Sequence, residues 1–168
     1  MSQEKKFQFC TQMTAADLWK FSMYNANKGH LGIFNALFTI AAVYLLVTQW
    51  HDVSIMYAIL MSVCALMFTV WQPAILYMKS KKQVKSPAMK DPVNMECTKD
   101  GFLISQGELH NEVKWNQVHR VEYIKSEVII YMDNIHAYLL PERVVGDQKE
   151  AFFQMLREVL PKERRKRI

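Results

Sequence analysis

From residue 31 to residue 78 the chain is apolar almost without interruption, and neither half of that stretch has a polar face. The first run, Leu31–Trp50, is 20 residues long. At about 1.5 Å per residue that spans one hydrocarbon thickness. Its polar members are Asn35, Thr39 and Thr48. The threonines can bond back to their own helix, and Asn35 is a candidate interhelical contact. The second run, Val53–Met78, is longer than a bilayer needs, so it tilts or projects, with a kink expected near Pro73. Gln49-Trp50-His51-Asp52 allows only a tight connection, so the second helix returns antiparallel. Trp50, Trp71 and Tyr77 stand at interfacial positions. The pattern predicts a transmembrane helical hairpin over 31–50 and 53–78. A buried hairpin of a soluble protein would need a polar side. A cleavable signal peptide would be shorter, begin earlier and not be followed at once by a second run.

Before the hairpin, residues 1–30 change character twice. After Lys5-Lys6, Phe7-Gln8-Phe9-Cys10 alternates as a short strand does. Thr14-Ala15-Ala16-Asp17 then has the spacing of a capping box: Thr14 accepts from the amide three residues on, and Asp17 reaches back. The helix it opens carries Leu18, Trp19, Phe21, Met23 and Tyr24. That helix either lies at headgroup level with Trp19 and Tyr24 as anchors or packs on the C-terminal domain.

Beyond the hairpin the period shortens to that of strands. A basic linker, 79–92, contains two prolines in its last seven residues. Met95–Thr98 and Phe102–Ser105 flank Lys99-Asp100-Gly101, a hairpin signal. Gln106-Gly107 turns the chain into Glu108–Trp115, and Gln117–Ile124 and Val128–Met132 follow. Asp133-Asn134 leads into Ile135–Leu140, which Pro141 stops. A helix is expected from Gly146-Asp147, with Asp147 as cap and Phe152, Phe153, Leu156, Val159 and Leu160 on one face. The spacing implies an antiparallel meander over 93–161, closed by that helix, and then a basic, disordered tail over 162–168.

Charge refines this picture. Averaged over the chain the hydropathy is near neutral, but the average mixes two extremes. Leu31–Met78 holds one acidic residue, Asp52, and none of the 21 Lys and Arg. A bilayer selects such segregation, because a charge at its centre costs about 2.5–3.5 kcal/mol. Lys20 and Lys28 precede the hairpin, Lys79, Lys81, Lys82 and Lys85 follow it, and its loop has neither Lys nor Arg. Both termini are therefore expected in the cytoplasm, with the protein in the cytoplasmic (inner) membrane. The net charge of +5 is explained by these flanks and by the tail, and no nucleic-acid partner is expected. Lys79, Lys81, Lys82, Lys85, Arg164, Arg165, Lys166 and Arg167 are the candidate contacts for anionic lipid, against the plainer reading of solvated flanks.

Few residues suggest chemistry. Cys10, Cys64 and Cys97 have no paired spacing and read as packing residues. His110, His119, His136 and Cys97 fall on different predicted strands without metal-ligand spacing. Glu108 and Glu112 straddle His110 in a way that fits acid–base work, but equally the alternation of an exposed strand. There is no G-x-S-x-G elbow and no glycine-rich phosphate loop. No catalytic residue, metal site or cofactor is expected.

The order hairpin, strands, closing helix carries a resemblance. Gly101-Phe102-Leu103-Ile104, Val113-Lys114-Trp115-Asn116-Gln117-Val118 and Ala137-Tyr138-Leu139-Leu140-Pro141-Glu142-Arg143, followed by an amphipathic helix, resemble the bacterial YcxB-like family. Val144-Val145 depart from it, standing where members often carry an aromatic. The resemblance implies a pleckstrin-homology-like (PH-like) barrel of strands capped by a helix, with a strand and helix ahead of the hairpin. It implies no catalytic residues. The expected fold class is thus an α+β membrane protein: a two-helix transmembrane hairpin plus a small antiparallel barrel or sheet closed by a C-terminal helix.

The expected function is a non-enzymatic membrane protein presenting that domain to a protein segment or to anionic lipid, with homo-oligomers possible. The alternative is an immunity protein against a membrane-active toxin or bacteriocin, on architectural analogy alone. A lipid hydrolase or transferase would require a charge-perturbed pocket at the membrane face.

Overall fold

A computed structural model describes residues 6–50, 53–133 and 136–168. Lys5, the His51-Asp52 loop and Asn134-Ile135 lie outside the described residues. The chain forms two compact units, residues 14–86 and residues 1–13 with 87–168.

The first unit is helical. Helix α1 (Ala15–Ala26) begins in the expected capping box: the Asp17 amide donates to Thr14 Oγ1 at 3.3 Å, and the Thr14 amide donates to Asp17 Oδ2 at 2.9 Å. Gly29, at φ +65°, and Gly32 take the chain into α2 (His30–Thr48). Gly32 is required because a Cβ there would lie 2.2 Å from the Asn27 carbonyl oxygen. Asn35 seals this corner, donating to Asn27 Oδ1 at 3.0 Å. Its interhelical contact is therefore with the end of α1. The return helix runs 30 residues, Ile55–Val84, as α3 (Ile55–Leu66), a π-turn (Met67–Trp71) and α4 (Gln72–Val84). The π-turn stands just before the expected kink at Pro73. That proline has no amide to donate, and its ring would crowd the carbonyl four residues back, so the helix widens there. Phe34 and Phe38 meet Phe68 at 6.4 and 5.5 Å, edge to face. Thr48, Ser62, Thr69 and Ser80 each donate to the carbonyl four residues back, so their hydroxyls are satisfied within their own helices.

Among the described residues two helices are thus long and apolar enough to cross a membrane. Only 11% and 6% of their apolar windows is buried, which is not the state of a soluble protein's core helix.

The second unit is built from two four-stranded sheets. The first has the order β1 (Phe7–Thr11), β2 (Val93–Cys97), β3 (Gly101–Gln106), β4 (Leu109–Lys114), all antiparallel. In β1, Phe7, Phe9 and Thr11 point inward and Gln8 and Cys10 outward, and the strand pairs with β2 from Phe7↔Cys97 to Thr11↔Val93. The second sheet has the order β7 (Ala137–Pro141), β6 (Glu127–Tyr131), β5 (Arg120–Ile124), β8 (Arg165–Lys166), with β5 and β8 parallel. The β3–β4 hairpin turns at Gly107, φ +57°. Gly101 is needed for closeness: a Cβ would meet the Val113 carbonyl oxygen at 2.3 Å.

The barrel expected from the resemblance is not closed. A 3₁₀ turn, Trp115–Gln117, carries the chain from β4 to β5 and breaks the ladder there, and β8 takes the outer edge of β5. The two sheets remain separate and share one core with α6 (Lys149–Val159). Phe152 is fully buried, its ring edge-on to Phe7 at 5.5 Å and Phe9 at 5.1 Å. Phe102 packs on Trp115, whose indole donates to the Thr98 carbonyl at 2.9 Å.

The end of the domain differs from expectation in two places. A short helix, α5 (Glu142–Val145), precedes α6 and stops at Gly146, φ +50°. Helix α6 then starts at Lys149 after a 3₁₀ turn over Gly146–Gln148, so Asp147 is not its cap. Residues 162–166, expected to be disordered, form a 3₁₀ turn and then β8.

Candidate functional site

The lysines after the hairpin fall on the last turns of α4 and at its end. Lys79, Lys82, Gln83, Lys85 and Ser86 line one open cavity of about 560 Å³. The spacing explains it: positions 79, 82, 83 and 86 share one helix face. Lys81 points elsewhere and lies 5.7 Å from the Tyr77 ring. Helix α1 packs beside the same part of α4, where the Trp19 indole donates to the Pro73 carbonyl at 3.0 Å and stands edge-on to Tyr77 at 6.1 Å. Lys28 lies 5.2 Å from the Tyr24 ring. One end of this unit is therefore a collar of ammonium groups and amphipathic aromatics, above a helix whose flanks are bare of charge. Such a collar can hold phosphate-bearing headgroups by charge while its rings sit at the polar boundary. Helix α1 thus packs on the basic end of the second long helix.

The basic residues of 162–168 are placed differently. Arg164 donates to the carbonyls of Asn116 and Val118 at 3.0 and 3.2 Å, and Arg165 to that of Arg157 at 2.8 Å. Lys166 lies 4.0 Å from Glu122, whose carboxylate is fully buried and also meets Arg120 at 2.9 Å. Arg167 adopts φ +61°.

The strongest charge cluster was not legible in the sequence. Lys149 donates to Glu142 Oε1 at 2.6 Å and to the Tyr123 hydroxyl at 2.8 Å. The Glu142 amide donates to the Ser126 carbonyl at 2.8 Å. Hydrogen bonds from Lys149, Tyr123 and Ser126 take the Glu142 carboxyl from its ordinary 4.5 down to about 2. The bond to Glu142 raises Lys149. A carboxylate and an ammonium so firmly held in their charged forms make poor proton carriers at neutral pH. The cluster is a lock between β5, α5 and α6.

The other candidates for chemistry stay apart. His110 Nδ1 is 2.9 Å from Ser105 Oγ, and His136 Nδ1 is 2.7 Å from Asp133 Oδ2, each a local contact. Glu108 and Glu112 are exposed. Cys97 is fully buried, and burial pushes its thiol up to about 12. Among the described residues no three His, Cys, Asp or Glu stand as a metal-binding group.

With an α+β fold, two antiparallel-based sheets and two long apolar helices established, comparison with known proteins adds a family. The family model described as YcxB-like protein matches residues 97–156, from the end of β2 into α6. Residues 97–156 are thus similar to that family over the segment where the strand motifs and the Leu-Pro-Glu-Arg run led one to expect it. No curated protein and no solved structure matches the chain.

Proposed function

We propose that this is a non-enzymatic, membrane-anchored interaction module. Helix α2 and the long α3–α4 helix cross the cytoplasmic membrane as a hairpin, and both ends of the chain are cytoplasmic. Lys79, Lys81, Lys82 and Lys85 contact anionic headgroups, and the PH-like domain of two sheets and α6 offers its surface to a protein segment. One observation carries the reading: four lysines and the Trp19–Tyr77 pair gather where a 30-residue apolar helix ends. This is the charge and aromatic distribution that fixes a helix at the cytoplasmic face. On the domain, β4 is an outer strand of its sheet and Leu109 is 76% exposed, which suits addition of a further strand.

The test is mass spectrometry of lipids and proteins retained when the intact chain is purified in mild detergent. Anionic lipid should be enriched, and should be lost when Lys79, Lys81, Lys82 and Lys85 are all changed to Gln. Equal lipid recovery from both proteins would refute the lipid contact. Retention of a protein partner that disappears on Leu109→Lys would support the β4 surface.

A further inference from the structure

Strand β5 is paired very unequally on its two sides. Toward β6 it is covered from Arg120↔Tyr131 to Ile124↔Glu127. Toward β8 the register covers only Val121↔Arg165 and Glu122↔Lys166. The covering strand has no apolar alternation, and its two residues are both cationic. What holds it is electrostatic: two guanidiniums on backbone carbonyls, and an ammonium facing the buried Glu122 carboxylate. Lys166 remains 65% exposed. The one apolar anchor in the segment is Ile168, partly buried against the core. Arg167 holds a left-handed backbone conformation that side-chain-bearing residues rarely adopt. Five of the six residues from Lys162 to Arg167 are basic. A segment held by charge over so short a ladder is displaced by a stronger field of the same sign as its holder, and an anionic lipid surface is such a field.

We infer that residues 162–168 are a displaceable strap: in a neutral environment they cover the outer edge of β5, and an anionic bilayer surface draws them off and uncovers that edge. The inference rests on the membrane placement proposed above and adds a regulation to it. Release exposes the backbone of Val121 and Glu122 and makes β5 an outer strand of its sheet in place of β8. Arg120 stays beside Glu122 when Lys166 leaves, so the buried carboxylate keeps a cationic neighbour.

The experiment is hydrogen–deuterium exchange of the full chain in lipid nanodiscs, made either of phosphatidylcholine alone or of phosphatidylcholine mixed with phosphatidylglycerol. The readouts are the peptides covering 118–124 and 162–168. In neutral discs both are protected. In anionic discs the strap loses its protection, residues 121–122 exchange faster, and salt restores the neutral pattern. A double variant, Arg165→Ser with Lys166→Ser, exchanges rapidly at 118–124 in both discs and no longer responds to lipid charge. Identical protection of the native chain in the two discs overturns the inference. If anionic lipid still co-purifies in a lysine-dependent way while exchange is unchanged, only the strap is refuted. If no lipid is enriched at all, the reading beneath it fails.

Discussion

Lys149 Nζ lies 2.6 Å from Glu142 Oε1 and 2.8 Å from the Tyr123 hydroxyl, which joins the start of α6 to α5 and to β5 through one ammonium group. Because Glu142 titrates at about 2 when folded and at 4.5 ordinarily, its contribution is complete above pH 4.5. It is lost as pH falls from there toward 2. Lys149 is raised above 10.5, so its contribution is complete below that value and is lost at higher pH. Glu142→Gln should therefore flatten part of the acid limb of a stability–pH profile measured in detergent. An unchanged acid limb would mean that the ion pair does not survive in solution.

Phe152 is the center of the aromatic contact that ties β1 to α6. Truncating a fully buried Phe costs about 3–5 kcal/mol. Phe152→Ala should bring the sheet domain close to unfolding, and Phe9→Ala should do the same more mildly. Denaturant unfolding followed by near-ultraviolet dichroism checks both.

At Gly32 two effects oppose each other. Alanine is the better helix former by about 1 kcal/mol. Its Cβ would also stand 2.2 Å from a backbone oxygen that no rotamer change can move. The clash wins, so Gly32→Ala should destabilise the α1–α2 corner by about 1–3 kcal/mol. A thermal shift upward would show that the corner is looser than this.

The cysteines report the facing of β1 against β2. Cys10 is exposed and Cys97 is buried with its thiol near 12. Maleimide at neutral pH should modify Cys10 and leave Cys97 unmodified until the domain unfolds. Equal rates would contradict the register Phe7↔Cys97.

Much of the fold was legible because its signals are local. The capping box at Thr14 and Asp17, the apolar runs and the face of α6 are each read from one continuous stretch of chain. What was not legible depends on distant partners. Nothing in Phe7–Thr11 specifies pairing with Val93–Cys97, because alternation fixes a face and not a neighbour. Lys125 and Ser126 turn β5 into β6 with both φ values positive, 49° and 67°, where Asn-Gly is the usual signal. Strand β8 escaped notice because Arg165 and Lys166 carry no strand pattern. The barrel expectation failed for the same reason: which strand takes an edge is decided by the whole chain. On the candidate site, the grouping of Lys79, Lys82 and Lys85 follows from helical spacing, whereas the Glu142–Lys149–Tyr123 lock needs three elements that only folding unites.

The central claim is a hairpin across the membrane with the domain inside. It is tested most directly by labelling intact cells with a membrane-impermeant maleimide, using the native Cys10 and a cysteine introduced by Ser54→Cys at the hairpin tip. Position 54 should react from outside, and Cys10 only after the membrane is permeabilised. Cys10 reacting in intact cells, or position 54 shielded until permeabilisation, would contradict the account.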